Sequence, residues 1–286
     1  EKASKVMMPL LFILLLIIVV AACLLPDAGK GVEFLLKPDF GKVDRNVFLN
    51  ALGQSFYSMS IGMGCICTYA SYFSRQTNLF KTALQISIID LLVAVLAGLM
   101  IFPAAFSVGV SPDSGPSLIF ITLPNVFNQA FASLPVLGWI ISLLFYVLLS
   151  VAALTSLMSL HEVNTSFFYE ELKIDRKKGA TIVTVSCAII GAFCSLSLGA
   201  TDKLSFFGKA LFDWFDFVTG QIFLPLAGFL TCLFLGWYVP KQIVQDEFTN
   251  WGTLKGHLFG IYLFLIKFVC PVLIFLVFLN QFGVFG

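Results

Sequence analysis

The sequence predicts an all-α polytopic membrane protein, and three observations predict it. Of its 286 residues, 59% are hydrophobic and only 12% charged, with a mean hydropathy of +0.96. A water-soluble chain could not hide that much apolar side chain. Seven apolar runs are long enough to cross a bilayer, which takes roughly 20 helical residues; they cover approximately 6–25, 47–73, 83–107, 137–168, 180–199, 207–238 and 258–283. The second run is interrupted at mid-depth by Ser58-Met-Ser60-Ile-Gly62-Met-Gly64. Two serines and two glycines hold a helix poorly, and unwound backbone at membrane depth survives only where protein or a site surrounds it. A discontinuous helix near residues 58–64 is therefore expected.

Composition also excludes several classes. The formal charge of +1 and the lack of a basic tract leave no footprint for nucleic acid. The seven cysteines (23, 65, 67, 187, 194, 232 and 270) all lie in apolar runs, unlike a disulfide framework or a zinc site.

Taken in order, the runs form a single transmembrane domain. The first, 6–25, is too long for a signal-peptide core and lacks a small-residue cleavage site. It starts almost at Glu1, with no methionine before it, so N-terminal spans are expected to be missing. Lysine and arginine in the short loops set orientation. Lys2, Lys5, Arg75, Lys81, Lys173, Arg176, Lys177, Lys178, Lys241 and Lys255 fall on one side. Lys30, Lys37, Lys42, Arg45, Lys203 and Lys209 fall on the other. The denser side is cytoplasmic, which puts residue 1 inside and residue 286 outside. Segment 108–136 has no lysine or arginine and is apolar enough to fold back as an outer lid. Segment 239–257, with Trp251, suits an interfacial helix.

Ionisable residues inside a span are expensive and functional by default. Asp90 lies about seven residues into its run, roughly 10 Å below the cytoplasmic end at about 1.5 Å per residue. A carboxylate there costs roughly 2.5–3.5 kcal/mol, so a proton, a cation or a basic side chain should offset it. Lys267 is the one basic residue deep in a span and the plain structural candidate. Ser58, about 11 residues down from the outer end, lies near the same depth as Asp90, as does Ala152-Ala153-Leu154-Thr155-Ser156. Hydroxyls beside small residues usually serve helix packing. Three oxygen-rich patches at one depth also suit a hard alkali cation. The outer half of the broken run would end near Ser58, turning its negative end toward the gap. That end attracts a cation or an ammonium group.

Other motifs are weaker. His161-Glu162-Val-Asn-Thr165 starts like a metalloprotease motif, but Thr165 stands where a second histidine is needed. No nucleophile elbow or P-loop is present. Asp213-Trp-Phe-Asp216 lies near the outer end of its run, as an interface anchor or an acidic gate.

At these residues the chain resembles the neurotransmitter:sodium symporter family, particularly its bacterial amino-acid transporters. Gly53-Gln54-x-Phe56-Tyr57-Ser58-x-Ser60-x-Gly62-x-Gly64, followed by Thr68-Tyr69-Ala70-Ser71-Tyr72, resembles the family's broken sixth span. Lys5-Val-Met-Met-Pro9 is similar to its fifth and Ala152-x-Leu154-Thr155-Ser156 to its eighth. The resemblance implies spans five to eleven, the second half of a five-plus-five inverted-repeat sodium symporter fold. It implies one sodium site with Ser58 and Asp90 and another with Ala152, Thr155 and Ser156, both completed by upstream residues. Tyr57 would be the aromatic lid, the carbonyls of Tyr57 and Ser58 and the hydroxyl of Ser60 would take the substrate ammonium, and Met63, Ser156 and Leu160 would line the side-chain pocket. Asp216 would be the outer gate acid, with Tyr72, Glu162 and Glu170 the inner gate.

Two departures from the family pattern carry information. Asp90 stands where members often have asparagine, and the position one turn on, Ala94, carries no charge. Fixed negative charge within the sodium site then implies chloride-independent transport. Met63 replaces a frequent aromatic residue; a flexible methionine beside Leu160 fits a hydrophobic or aromatic L-amino acid. The expected function is sodium-coupled amino-acid symport by alternating access in the plasma or inner membrane. A proton-coupled transporter and a non-transporting receptor or scaffold are the alternatives. An intramembrane enzyme lacks a second catalytic group.

Overall fold

The computed structural model describes residues 2–74, 77–107, 124, 127, 131–198, 205–206, 209–254 and 256–282. Its helices are α1 (Lys2–Cys23), α2 (Ala28–Leu36), α3 (Arg45–Ser58), α4 (Cys65–Ser71) and α5 (Leu79–Ser107). Then come α6 (Pro135–Glu170), α7 (Arg176–Ser197), α8 (Leu211–Tyr238), α9 (Lys241–Phe248) and α10 (Phe259–Gln281). A two-residue hairpin, β1 (Ser205–Phe206) against β2 (Lys209–Ala210), precedes α8. Among the described residues, six helices are long and apolar enough to cross a membrane: α1 from Lys5, α5, α6, α7, α8 and α10. The run 47–73 is instead two short helices, α3 and α4, separated at Met59–Gly64. Most of segment 108–136, expected as a lid, lies outside the described residues, as do Arg75, Lys203 and Lys255 of the charge comparison.

Local chemistry explains the helix ends. Asp44 caps α3 by accepting from the Val47 amide at 2.8 Å, and Asp175 caps α7 by accepting from Lys177 at 3.2 Å. Pro26 stops α1, and the chain turns through Asp27 in a left-handed conformation. Segment 239–257 supplies the short helix α9, whose Val244 is buried.

The chain divides into two compact units. The first holds residues 1–42 and 88–158. Its core joins Leu14, Leu15, Ile18 and Ala22 of α1 to Met100 and Ala104 of α5 and Ile141, Phe145 and Leu148 of α6. Those spacings of three and four residues are one face of a helix. The second unit holds residues 43–87 and 159–286. There α8 lies along α10, with Phe229 and Phe275 rings 6.2 Å apart, and α3 joins them where Asn280 Nδ2 donates to Asn50 Oδ1 at 3.0 Å. Both long helices are locally widened into π turns, at Phe217–Phe223 and Phe234–Tyr238 in α8 and at Leu265–Val269 in α10. Such turns frequently mark functional sites. Outward-facing Ile189, Ile190 and Phe193 of α7 stay about half exposed, a surface suited to acyl chains rather than water.

Candidate functional site

The break in the second unit is a built structure. Helix α3 closes with a Schellman cap: Ile61 N–H donates to the Phe56 carbonyl at 3.0 Å and Ser60 N–H to Tyr57 at 3.1 Å. The cap's left-handed position is normally glycine, yet here it is Ser60, with φ +52°. The chain then passes through Gly62 (φ +87°) and Gly64 (φ +81°), and Gly64 opens α4. A Cβ on Gly62 would lie 2.5 Å from the Leu224 carbonyl oxygen of α8. Only glycine fits between that conformation and that neighbour. A cavity of about 420 Å³ runs beside the break, lined by Ser60, Gly62, Gly64, Cys67, Thr231 and Cys232 among others.

Backbone oxygens are left at the break. The negative end of α3 points into the gap, and each carbonyl keeps a second lone pair after accepting once. The Tyr57 carbonyl, which accepts from the Ser60 N–H at 3.1 Å, lies at the interruption. The ring of Tyr57 reaches α8, with its Cε2 3.8 Å from where a Cβ on Gly220 would be. Gly220 is one turn beyond the exposed Asp216. Met59, the first residue past α3, meets Ser87 of α5, whose Oγ donates to its sulfur at 3.5 Å. Met63 is half-buried. The Leu160 carbonyl accepts from Asn164 Nδ2 at 3.0 Å.

The remaining expected sodium ligands belong to the first unit. Asp90 is partly buried on α5, one turn and one face from Ser87. On α6, Thr155 Oγ1 donates to the Ala152 carbonyl at 2.8 Å. Those two oxygens are thereby held side by side, and Ser156 is the next residue, exposed.

A second cluster joins α4 to α6 within the second unit. The Tyr72 hydroxyl donates to Glu162 Oε1 at 2.9 Å and lies 2.8 Å from Ser166 Oγ. Ser166 also reaches Glu162, at 3.4 Å, and Arg176 forms an ion pair with it. Above, Tyr69 donates to Ser159 Oγ at 2.7 Å. Of the expected inner gate residues, Tyr72 and Glu162 come together. Glu170 is exposed at the end of α6 and makes no hydrogen bond or ion pair among the described residues. Sequence reading passed over Ser166 and Arg176 in this role. Ser166 was findable, being one turn after Glu162 on the same face. Arg176 was not, because it reaches Glu162 only through the reversal between α6 and α7. His161, whose motif lacks a second histidine, ties those two helices, with Nε2 2.9 Å from Thr184 Oγ1 and Nδ1 3.2 Å from Thr165 Oγ1.

A helix broken by glycines within an apolar run, on a nearly all-helical membrane scaffold, is the construction of a secondary transporter. Residues 1–285 match the Sodium:neurotransmitter symporter family, and the chain belongs to it. That family is one of transporters, not enzymes. An uncharacterized sodium-dependent transporter of Bacillus subtilis, YhdH, is 35% identical over 285 residues, which is 99% of this chain and 62% of that protein. An uncharacterized sodium-dependent transporter of Haemophilus influenzae is 34% identical over 283 residues, 98% of this chain and 60% of the relative. The crystal structure of MhsT in complex with L-phenylalanine superposes with a TM-score of 0.83 at 35% identity, covering 97% of this chain and 62% of that one. The chain thus spans about six-tenths of the length of the relatives it matches.

Proposed function

We propose that this chain is the second half of a sodium-coupled amino-acid symporter working by alternating access. The break at Met59–Gly64 carries the proposal: it supplies a cation-facing helix end and an ordered loop that family membership alone would not guarantee. One sodium ion, a transported substrate, binds Ser58 and Asp90. A second binds the Ala152 carbonyl, Thr155 and Ser156. Upstream spans of the same protein complete both sites and hold the substrate carboxylate. The amino-acid ammonium binds at Tyr57, Ser58 and Ser60, beneath the Tyr57 ring, with Met63, Ser156 and Leu160 around the side chain. That lining favours a hydrophobic or aromatic L-amino acid, and the L-phenylalanine complex of MhsT supports this choice.

Asp90 gives the coupling its physical basis. Sodium neutralises a carboxylate that is costly at membrane depth, so ion binding and site assembly favour each other. Asp216 serves as the outer gate, and Tyr72, Glu162 and Glu170 as the inner one. The protein lies in the plasma or inner membrane with residue 1 cytoplasmic and residue 286 outside.

The test is uptake of radiolabelled hydrophobic L-amino acids into liposomes containing the full-length protein. At fixed pH, replacing sodium by choline should abolish accumulation, and Asp90→Ala should do the same in sodium. Accumulation that persists in choline and follows a proton gradient would instead establish proton coupling. A folded protein that binds the amino acid but accumulates none under any gradient would be a receptor.

A further inference from the structure

Lys267 carries a positive charge into an apolar helix, and the proposed transport site makes no use of it. Its Nζ lies 5.3 Å from the centroid of the Trp237 ring. The Trp237 indole N–H donates to the Lys267 carbonyl at 3.4 Å. That carbonyl belongs to the π turn Leu265–Val269, where the helix is widened. The neighbouring Gly236 lets the backbones meet, since a Cβ there would stand 3.1 Å from Lys267 Cγ. Lys267 is thus clamped against the last residues of α8, which ends at Tyr238. Although nine residues into α10, it is level with a helix end. Tryptophan and tyrosine at a span's end mark the membrane interface, where lysine side chains reach toward headgroups.

The surroundings specify a ligand. Among the described residues no carboxylate pairs with Lys267. The face around it is aromatic and open: Phe234, Trp237, Tyr238, Phe264 and Phe268 are 49–80% exposed. Phe268 stands edge-on to Trp237 at 5.6 Å, and Phe264 lies 5.6 Å from Phe268. A cation–π contact attracts the ammonium without neutralising it. An anion that brings apolar surface of its own would pair with the ammonium and cover the exposed rings.

We propose that Lys267 and Trp237 form a docking site for the headgroup phosphate of an anionic phospholipid, whose acyl chains lie over Phe264 and Phe268. A free phosphate ion has no tail to replace the water it would lose at this apolar face. A zwitterionic lipid brings its own cation in competition with Lys267.

The test is native mass spectrometry of the full-length protein, titrated with phosphatidylglycerol or with phosphatidylcholine of identical chains. The wild type should retain phosphatidylglycerol in preference, and Lys267→Gln should lose about fivefold in that preference, as expected for one basic residue near an anionic surface. Lys267→Arg should keep it. Lys241→Gln, which removes the neighbouring cation over Phe259, should change it less than Lys267→Gln does. Equal retention of the two lipids by the wild type would overturn the proposal without recourse to any variant. So would loss of the preference in Lys241→Gln alone, or equal displacement of the lipid by inorganic phosphate.

Discussion

The Cβ that Gly62 lacks would lie 2.5 Å from the carbonyl oxygen of Leu224. The loop between α3 and α4 is therefore pressed against the backbone of α8, immediately after the latter's π turn Phe217–Phe223. What interrupts the helix also fastens it to its neighbour. Gly62→Ala must displace main chain, because no side chain can yield there, and it also places an L-residue at φ +87°, a conformation that costs roughly 1–2 kcal/mol by itself. The variant should unfold at clearly lower temperature in detergent than Gly191→Ala, where nothing lies within 4 Å. Equal midpoints would mean that the break is not wedged against α8.

Ser60 separates backbone from hydroxyl. It holds φ +52° without being glycine, so Ser60→Gly relieves up to about 1 kcal/mol of strain while deleting the oxygen assigned to the substrate ammonium. Stability should be unchanged or higher, and the KM for amino-acid uptake should rise about tenfold, as expected for one hydrogen bond to a charged group. An unaltered KM would remove Ser60 from the binding site.

The Tyr72–Glu162 tie is expected to matter more than the Arg176 ion pair on the same carboxylate. Arg176 is 60% exposed, and such surface pairs contribute less than about 1 kcal/mol. Tyr72→Phe removes hydrogen bonds to both Glu162 and Ser166, at a cost of about 1–2 kcal/mol. Amide exchange in α4 should quicken more in Tyr72→Phe than in Arg176→Gln. A cycle combining Tyr72→Phe with Glu162→Gln should show coupling above roughly 0.5 kcal/mol; strict additivity would contradict the tie.

Chloride offers a separate check on Asp90. With fixed negative charge in the proposed sodium site and Ala94 one turn on, uptake should proceed at the same rate in gluconate as in chloride medium. A large loss of rate in gluconate would show that Asp90 does not supply the compensating charge.

The sequence by itself determined the class and the interruption. Hydrocarbon leaves a spanning chain little besides helix, so composition and run length led directly to α1, α5, α6, α7, α8 and α10. Ser58 to Gly64 announced the break because glycine and serine in an apolar run are a local signal. Only the tertiary structure decided what those elements touch. That Ser60 rather than glycine takes the left-handed cap, that Gly62 meets Leu224, and that Arg176 turns back onto Glu162 depend on contacts between segments far apart in the chain. Lys267 shows the difference most clearly. Its charge and depth could be counted from the sequence, which offered it as one of three possible counterparts to Asp90. Its place over Trp237 follows from the packing of α10 on Gly236, which no residue pattern along one helix encodes.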